Sequence, residues 1–104
     1  MGEIPYSILY PDDFKKQLEF IDRKYWKLIK ENIEKYLLFE PDIETKNRKP
    51  LSKPPVDSIW EIRFGPKNTF RVFYKCHPET NEVWILSIGY KNKDKLFIMG
   101  DNIL

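Results

Sequence analysis

The hydrophobic pattern of the chain changes from strand-like to helix-like at Pro11. Residues 6–10 (YSILY) predict a short strand, which Pro11 closes because proline fixes φ and has no backbone donor. From residue 14 to residue 37, apolar side chains recur at spacings of three and four, as on one stripe of a helix. Asp22 leaves two interpretations open, since it can cap the second helix of a helical hairpin or lie within one long helix.

The middle of the chain has the period of two that is typical of strands. In residues 60–64 (WEIRF), the three apolar side chains face one way, and Glu61 and Arg63 face the other. In residues 70–76 (FRVFYKC), Arg71 again lies opposite a set of apolar side chains. If the apolar sets cover a core, the three charged side chains lie close together on the other face of the sheet.

Turn chemistry separates these runs. The segments GPKN at residues 65–68 and PETN at 78–81 predict tight turns, so the runs form an antiparallel meander that residues 83–88 continue. After Gly89 come a basic segment, YKNKDK, and a short apolar run at residues 96–99.

Residues 42–57 (DIETKNRKPLSKPPVD) have little apolar content and three prolines, so they predict a loop. A loop of this length in a small domain is usually functional or mobile. Its basic residues are Lys46, Arg48, Lys49 and Lys53.

A leading strand, a helical hairpin and a meander predict an α+β fold of two layers, in which one sheet face packs on the helices and the other is free for a ligand. The 104 residues are expected to form one domain, residues 1–104. The aromatic content of 15% favours a folded chain, and a net charge of +2 does not by itself indicate a nucleic-acid binder.

The single cysteine and single histidine, Cys76 and His77, provide neither an intramolecular disulfide nor a zinc ligand set, so we expect no metal and no cofactor. No run approaches the roughly 20 apolar residues that span a bilayer, and residues 1–13 lack the pattern of a signal peptide. We therefore expect a cytoplasmic protein without a membrane partner.

The first candidate site combines Glu61, Arg63 and Arg71 with Lys91 and Lys93, which are predicted to lie just past the last strand, near the basic loop. Guanidinium groups bind phosphate in bidentate fashion, and several cations in one concavity can hold an RNA backbone. The alternative is a solvated sheet face that charge keeps soluble, with Glu61 paired to one of the arginines.

The second candidate feature is aromatic. Tyr90 and Phe97 lie near the basic tail and could stack on an unpaired base. Aromatic residues in strands are more often core residues or cross-strand pairs, and this alternative stays open.

Together these residues resemble a known family. The order of strand, helical hairpin and meander, with WEIRF, then FRVFY, then a strand ending SIGYK, resembles the RelE/ParE superfamily of bacterial type II toxin–antitoxin modules. The resemblance extends from Tyr6 to about Gly100. Its most specific part is WEIR followed by the aromatic-Arg-Val-Phe-Tyr run.

The resemblance implies a small toxin that a cognate antitoxin protein holds inactive. RelE-like members enter the ribosomal A site and cut mRNA, using a ribose 2′-hydroxyl to attack the adjacent phosphate. ParE-like members have the same fold and inhibit DNA gyrase. The antitoxin is expected to lay a helix or strand over the helical hairpin or a sheet edge.

Carried over to this sequence, the arginine that stabilises the transition state falls on Arg71, a strand-borne basic residue on Arg63 and a further cation on Lys91. Two positions depart from the pattern, because a strand-borne lysine is replaced by Glu61 and the C-terminal tyrosine by Phe97. Glu61 could accept the 2′-hydroxyl proton, although two adjacent cations favour its ionised, weakly basic form.

The resemblance therefore implies a ribosome-dependent, metal-independent endoribonuclease. Arg71, Arg63 and Lys91 would be catalytic, and Lys93, Glu61, Tyr90 and Phe97 would contact the substrate. The alternatives are a gyrase inhibitor without catalytic activity and an inactive protein that binds only an antitoxin.

Overall fold

The computed structural model describes residues 4–51 and 59–102. Its elements in chain order are β1 (Ser7–Leu9), α1 (Phe14–Leu18), α2 (Trp26–Leu37), β2 (Arg48–Pro50), β3 (Trp60–Phe64), β4 (Phe70–His77), β5 (Glu82–Asn92), β6 (Lys95–Ile98) and β7 (Asp101–Asn102). Short 3₁₀ turns at Arg23–Tyr25 and Pro66–Asn68 precede α2 and β4. The predicted α+β order of strand, helical hairpin and meander is confirmed.

The helical segment is a hairpin and not one long helix. The side chain of Asp22 accepts a hydrogen bond from the backbone N–H of Lys24 at 3.0 Å and so begins the turn into α2. The indole Nε1 of Trp26 donates to the carbonyl oxygens of Leu18 and Ile21, both at 3.0 Å. Trp26 therefore holds the corner between the helices by donating to two carbonyls at and just after the end of α1, where the helical hydrogen-bond pattern stops.

The described strands form one sheet in the order β2-β3-β4-β5-β6-β7, with antiparallel neighbours, and β1 pairs in parallel with β5. Ile29, Ile33 and Leu37, spaced four apart on α2, are buried against one face of this sheet. On that face the core includes Ile62 and Val72, as the alternation in the sequence predicts.

Two predicted boundaries were wrong. The segment predicted as a loop contains β2, which pairs with the edge of β3, while residues 52–58 lie outside the described part of the chain. The last long strand does not end near Gly89, because β5 continues to Asn92 and turns into β6 through Lys93 and Asp94. Both turn residues have positive φ, 51° and 68°, which a two-residue hairpin turn of this type requires.

A β-bulge interrupts the pairing of β4 with β5. Phe73 pairs with Ser87 whereas Tyr74 pairs with Ile85, so Leu86 is the extra residue on β5. The strict alternation of faces along β5 therefore shifts by one residue at this point. As a result, Ile85 and Ile88 both reach the core although they are three residues apart.

The side chain of Gln17 completes the hydrogen bonding of β5 beyond the bulge. On its outer edge, β5 pairs with β1 up to Trp84 and with β6 from Tyr90, so no described strand pairs with the stretch between them. The buried Gln17 fills this gap: its Oε1 accepts from the backbone N–H of Ile88 at 2.8 Å, and its Nε2 donates to Asp13 at 3.1 Å.

No helix within residues 4–51 and 59–102 has the length and hydrophobicity needed to cross a bilayer.

We expect Gln17→Met to lower the free energy of unfolding by about 1–3 kcal/mol, because the buried N–H of Ile88 loses its acceptor while the side chain keeps its size. Urea denaturation measures the difference. Lys16→Met is the matched control: it is exposed on the same short helix and should change the free energy of unfolding by less than about 0.5 kcal/mol. Equal losses in the two variants would contradict this role of Gln17.

Candidate functional site

The register of β3 with β4 assembles the predicted charge cluster. Arg63 lies directly opposite Arg71, and Glu61 lies opposite Phe73. Because Ile62 and the other intervening residues of both strands face the core, these side chains project from the sheet face turned away from the helices. We call this surface, which carries Glu61, Arg63, Arg71 and Phe73, the distal face.

Glu61 bridges the two arginines. Its Oε1 accepts from Nε of Arg63 at 2.9 Å, and its Oε2 lies 3.7 Å from Nη1 of Arg71. Like charges directly opposite each other destabilise an antiparallel pair, so the carboxylate offsets the repulsion between the two guanidinium groups. The cluster of two cations and one anion keeps one net positive charge.

The alternative interpretation was a solvated sheet face with Glu61 paired to an arginine. The pairing is present, but the cluster is largely shielded from solvent. Glu61 and Arg71 are both buried at 7% exposure, and the side chain of Arg63 is 34% exposed. Burial lowers the pKa of the Arg71 guanidinium, and the charge of Arg63 lowers this pKa further while Glu61 opposes the shift. Arg71 stays cationic at neutral pH, but its charge is incompletely compensated.

Several N–H groups of the two arginines have no hydrogen-bond partner among the described residues. Nε of Arg71 donates to the carbonyl of Asn68 at 3.2 Å, in the tight turn where Asn68 has a positive φ of 53°. A guanidinium has five N–H groups, and the described residues engage only a minority of those on Arg63 and Arg71. The geometry therefore suits an anion with several oxygens, such as a phosphate. Within residues 4–51 and 59–102, no three His, Cys, Asp or Glu side chains converge as a metal site.

The sequence predicted that Lys91 and Lys93 lie just past the last long strand, and this position was wrong for Lys91. Lys91 lies within β5, two residues beyond Gly89, the partner of Arg71. Its side chain is therefore on the distal face, about 7–8 Å diagonally from Arg71. Lys93 is exposed in the β5–β6 turn. The structure brings Lys91 to the cluster and leaves Lys93 at the rim.

Two basic residues of the segment predicted as a loop lie on opposite faces of the sheet. Lys49 lies opposite Glu61 in the β2–β3 pair, so it adds a cation to the distal face that sequence reasoning had not assigned to the site. Arg48 faces the core and is 5% exposed; its Nε and Nη1 donate to the carbonyls of Ile43 and Tyr36, each at 2.6 Å. Arg48 therefore holds the segment after α2 and does not lie on the distal face.

Tyr90 and Phe97 lie on the face opposite the cluster. Tyr90 pairs with Phe70 of the core, and its ring stacks on Phe97 with the centroids 5.4 Å apart. The β5 bulge explains this placement, since strict alternation from the distal Trp84 would have put Tyr90 on the distal face. Tyr90 and Phe97 therefore form a cross-strand pair, which was one of the two interpretations of the sequence. Their contact with a substrate stays a prediction.

We expect Glu61→Gln to bind inorganic phosphate more tightly than the unmodified chain, because the two guanidinium groups lose the anion that lies between them. The variant should lose about 1–3 kcal/mol of unfolding free energy in chloride buffer, and phosphate should restore part of that loss. Urea denaturation with and without phosphate at constant ionic strength measures both effects. Glu79→Gln, an exposed carboxylate beside His77, is the control. A phosphate effect of equal size in both variants would rule out the interpretation.

No family model matches the sequence, and no curated protein matches it. Among solved structures, a chain of the toxin–antitoxin complex RelBE2 from Mycobacterium tuberculosis superposes with a TM-score of 0.68 at 21% identity. The match covers 86% of this chain and 95% of the other. The chain therefore has a RelE-type toxin fold.

Proposed function

We propose that this protein is the toxin of a type II toxin–antitoxin module and that it cleaves mRNA on the ribosome. The RelE-type fold supports the first part, since the matching chain comes from a toxin–antitoxin complex. The observation that carries the second part is the Arg63–Arg71 pair, which is partly buried on the distal face and has N–H groups that no described residue engages. An isolated solvated charge would not support the same conclusion.

The proposed reaction is the attack of a ribose 2′-oxygen on the adjacent phosphorus. The bond from the 2′-oxygen to phosphorus forms and the bond to the 5′-oxygen breaks. The 2′-hydroxyl loses a proton and the leaving 5′-oxygen gains one from water, so that a 2′,3′-cyclic phosphate and a 5′-hydroxyl result. Negative charge increases on the phosphoryl oxygens in the transition state. Arg71, partly desolvated and fixed by Asn68, would stabilise this charge, while Arg63 and Lys91 hold the backbone and Lys93 assists at the rim.

The proton of the attacking hydroxyl needs an acceptor. Glu61 is the carboxylate within the cluster, and its two oxygens offer about four lone-pair positions, of which the arginines take two. A hydroxyl can therefore donate to Glu61 without displacing both arginines. The ribosome would supply much of the positioning of the mRNA, which reduces what the protein's own residues must contribute.

A gyrase inhibitor without catalytic activity is the second candidate. Two observations favour it: Glu61 engages both arginines in the free protein, and Phe97 has no phenolic hydroxyl and lies on the other face. In that case the basic distal face would contact a protein. An inactive chain that binds only an antitoxin has the same two features.

The antitoxin has a candidate docking site away from the distal face. A groove of about 480 Å³ between the helices and the end of β1 is almost entirely apolar, with Trp26, Ile29 and Ile33 among its lining residues. Lys27 and Lys30 also line it. Its chemistry suits an amphipathic helix that places apolar side chains in the groove and acidic ones against the lysines. We propose that the antitoxin supplies such a segment.

We expect Arg71→Ala to reduce mRNA cleavage at least about 100-fold in a purified translation system, because the transition state loses a preorganised cationic donor. Mapping the mRNA ends on stalled ribosomes measures the cleavage. Arg71→Gln, whose amide can take the place of Nε and donate to the carbonyl of Asn68, should also be inactive and tests whether the loss of cleavage comes from a folding defect. Arg23→Ala, at the exposed helical corner, should cleave normally.

Intact mRNA in the presence of the unmodified protein would contradict the nuclease proposal. If that protein nevertheless blocked growth, inhibition of gyrase supercoiling would become the favoured function. Full cleavage by a folded Arg71→Ala variant would show that Arg71 has no catalytic role.

A further inference from the structure

The distal face carries an apolar concavity of about 330 Å³ beside the charge cluster. The residues lining it are Leu51, Ile59, Phe73, Leu86, Ser87, Leu96 and Ile98. Among the described residues that line it, Ser87 alone has a polar side chain. The volume is close to the lower limit for small-ligand pockets in proteins.

The concavity and the arginines adjoin because of Gly89. This residue is the partner of Arg71 on the neighbouring strand, and it has no side chain to fill the space between them. A Cβ at position 89 would lie 2.6 Å from the carbonyl oxygen of Phe97 and 2.9 Å from Cγ1 of Ile98. The close approach of β6 therefore places Ile98 and Leu96 next to the cluster.

Phe73, which lines the concavity, is adjacent to the arginine cluster along the sheet. Phe73 is two residues beyond Arg71 on the same face, so their Cα atoms are about 7 Å apart, and it lies directly opposite Glu61. A ligand with an anionic group at the arginines can therefore place an adjoining flat, apolar group on Phe73 and its neighbours. A nucleotide has this combination: a phosphate, and a base with apolar faces and polar edges.

We propose that this concavity is a nucleobase subsite, which holds one unpaired base of an RNA strand whose phosphate lies at Arg63 and Arg71. The assignment rests on the proposed function and adds to it where the base lies. Phe73, Leu96 and Ile98 contact the face of the base, and Ser87 is available to its polar edge. This role is the one that the sequence had suggested for Tyr90 and Phe97, which the fold places on the opposite face.

Two small probes separate the base from the phosphate. Adenosine 5′-monophosphate and ribose 5-phosphate carry the same charged group, and only the first has a base. In NMR titrations of the complete chain, we expect the nucleotide to bind about tenfold more tightly and to shift the methyl signals of Leu86, Leu96 and Ile98. Ribose 5-phosphate should perturb only the arginine cluster.

A pair of matched variants identifies the aromatic residue. Phe73→Leu keeps an apolar side chain but removes the flat ring, so it should lower the affinity for the nucleotide towards that for ribose 5-phosphate. Trp84→Leu removes an exposed aromatic from the same face, opposite Lys75 and about 13 Å along the sheet from Arg71, and should leave both affinities unchanged.

Equal affinity for the two probes, or no methyl shifts with the nucleotide, would overturn the subsite. The same is true if a bound antitoxin, and not the nucleotide, shifts these methyl signals, since the concavity would then belong to a protein partner. The proposed function fails separately, through intact mRNA in the translation assay. If ribose 5-phosphate binds the unmodified chain and not Arg71→Ala, the phosphate site at the arginines is supported even where no subsite for the base exists.

Discussion

The candidate site depends on the direct opposition of Arg63 and Arg71 across β3 and β4. Two guanidinium groups in this position repel each other, and the sheet tolerates them because Glu61, one pair along, reaches both. The register that creates this pair also places Ile62 and Val72 in the core. A slip of one residue would bury the arginines and expose the core residues, so the hydrophobic core itself fixes the geometry of the cations.

The bulge in β5 has a comparable influence on the rest of the site. By inserting Leu86, it moves Tyr90 to the core side and brings Lys91 to the side of Arg71. It also lets Leu86 and Ser87 line the apolar concavity. The energetic cost of the irregular backbone is offset in part by Gln17, whose amide binds the N–H of Ile88 where no strand does. A helix residue remote from the cluster thus supports the strand that completes it.

These features explain what the sequence could and could not predict. The period of two in WEIRF and FRVFY and the turn chemistry of GPKN are local signals, and they were sufficient to predict the β3–β4 hairpin and the cluster of Glu61, Arg63 and Arg71. The side of the sheet on which Tyr90 lies depends on a bulge that has no residue signature, since no Gly marks it. Strand β2 has three polar or proline residues and forms because the edge of β3 is available. The burial of Arg48 depends on carbonyls that only the folded chain brings together.

Glu61 links binding to chemistry in the proposed reaction. In the free protein its carboxylate offsets the repulsion between the two arginines, and this role requires the ionised form. A phosphodiester bound at the same guanidinium groups carries one negative charge and can take over that role. The two carboxylate oxygens, which contact Arg63 and Arg71 in the free protein, can then exchange one of these contacts for a hydrogen bond from the 2′-hydroxyl. On this view the departure from a lysine at position 61 places a hydrogen-bond acceptor between the two cations, and the phosphate that binds the arginines brings the 2′-hydroxyl to that acceptor.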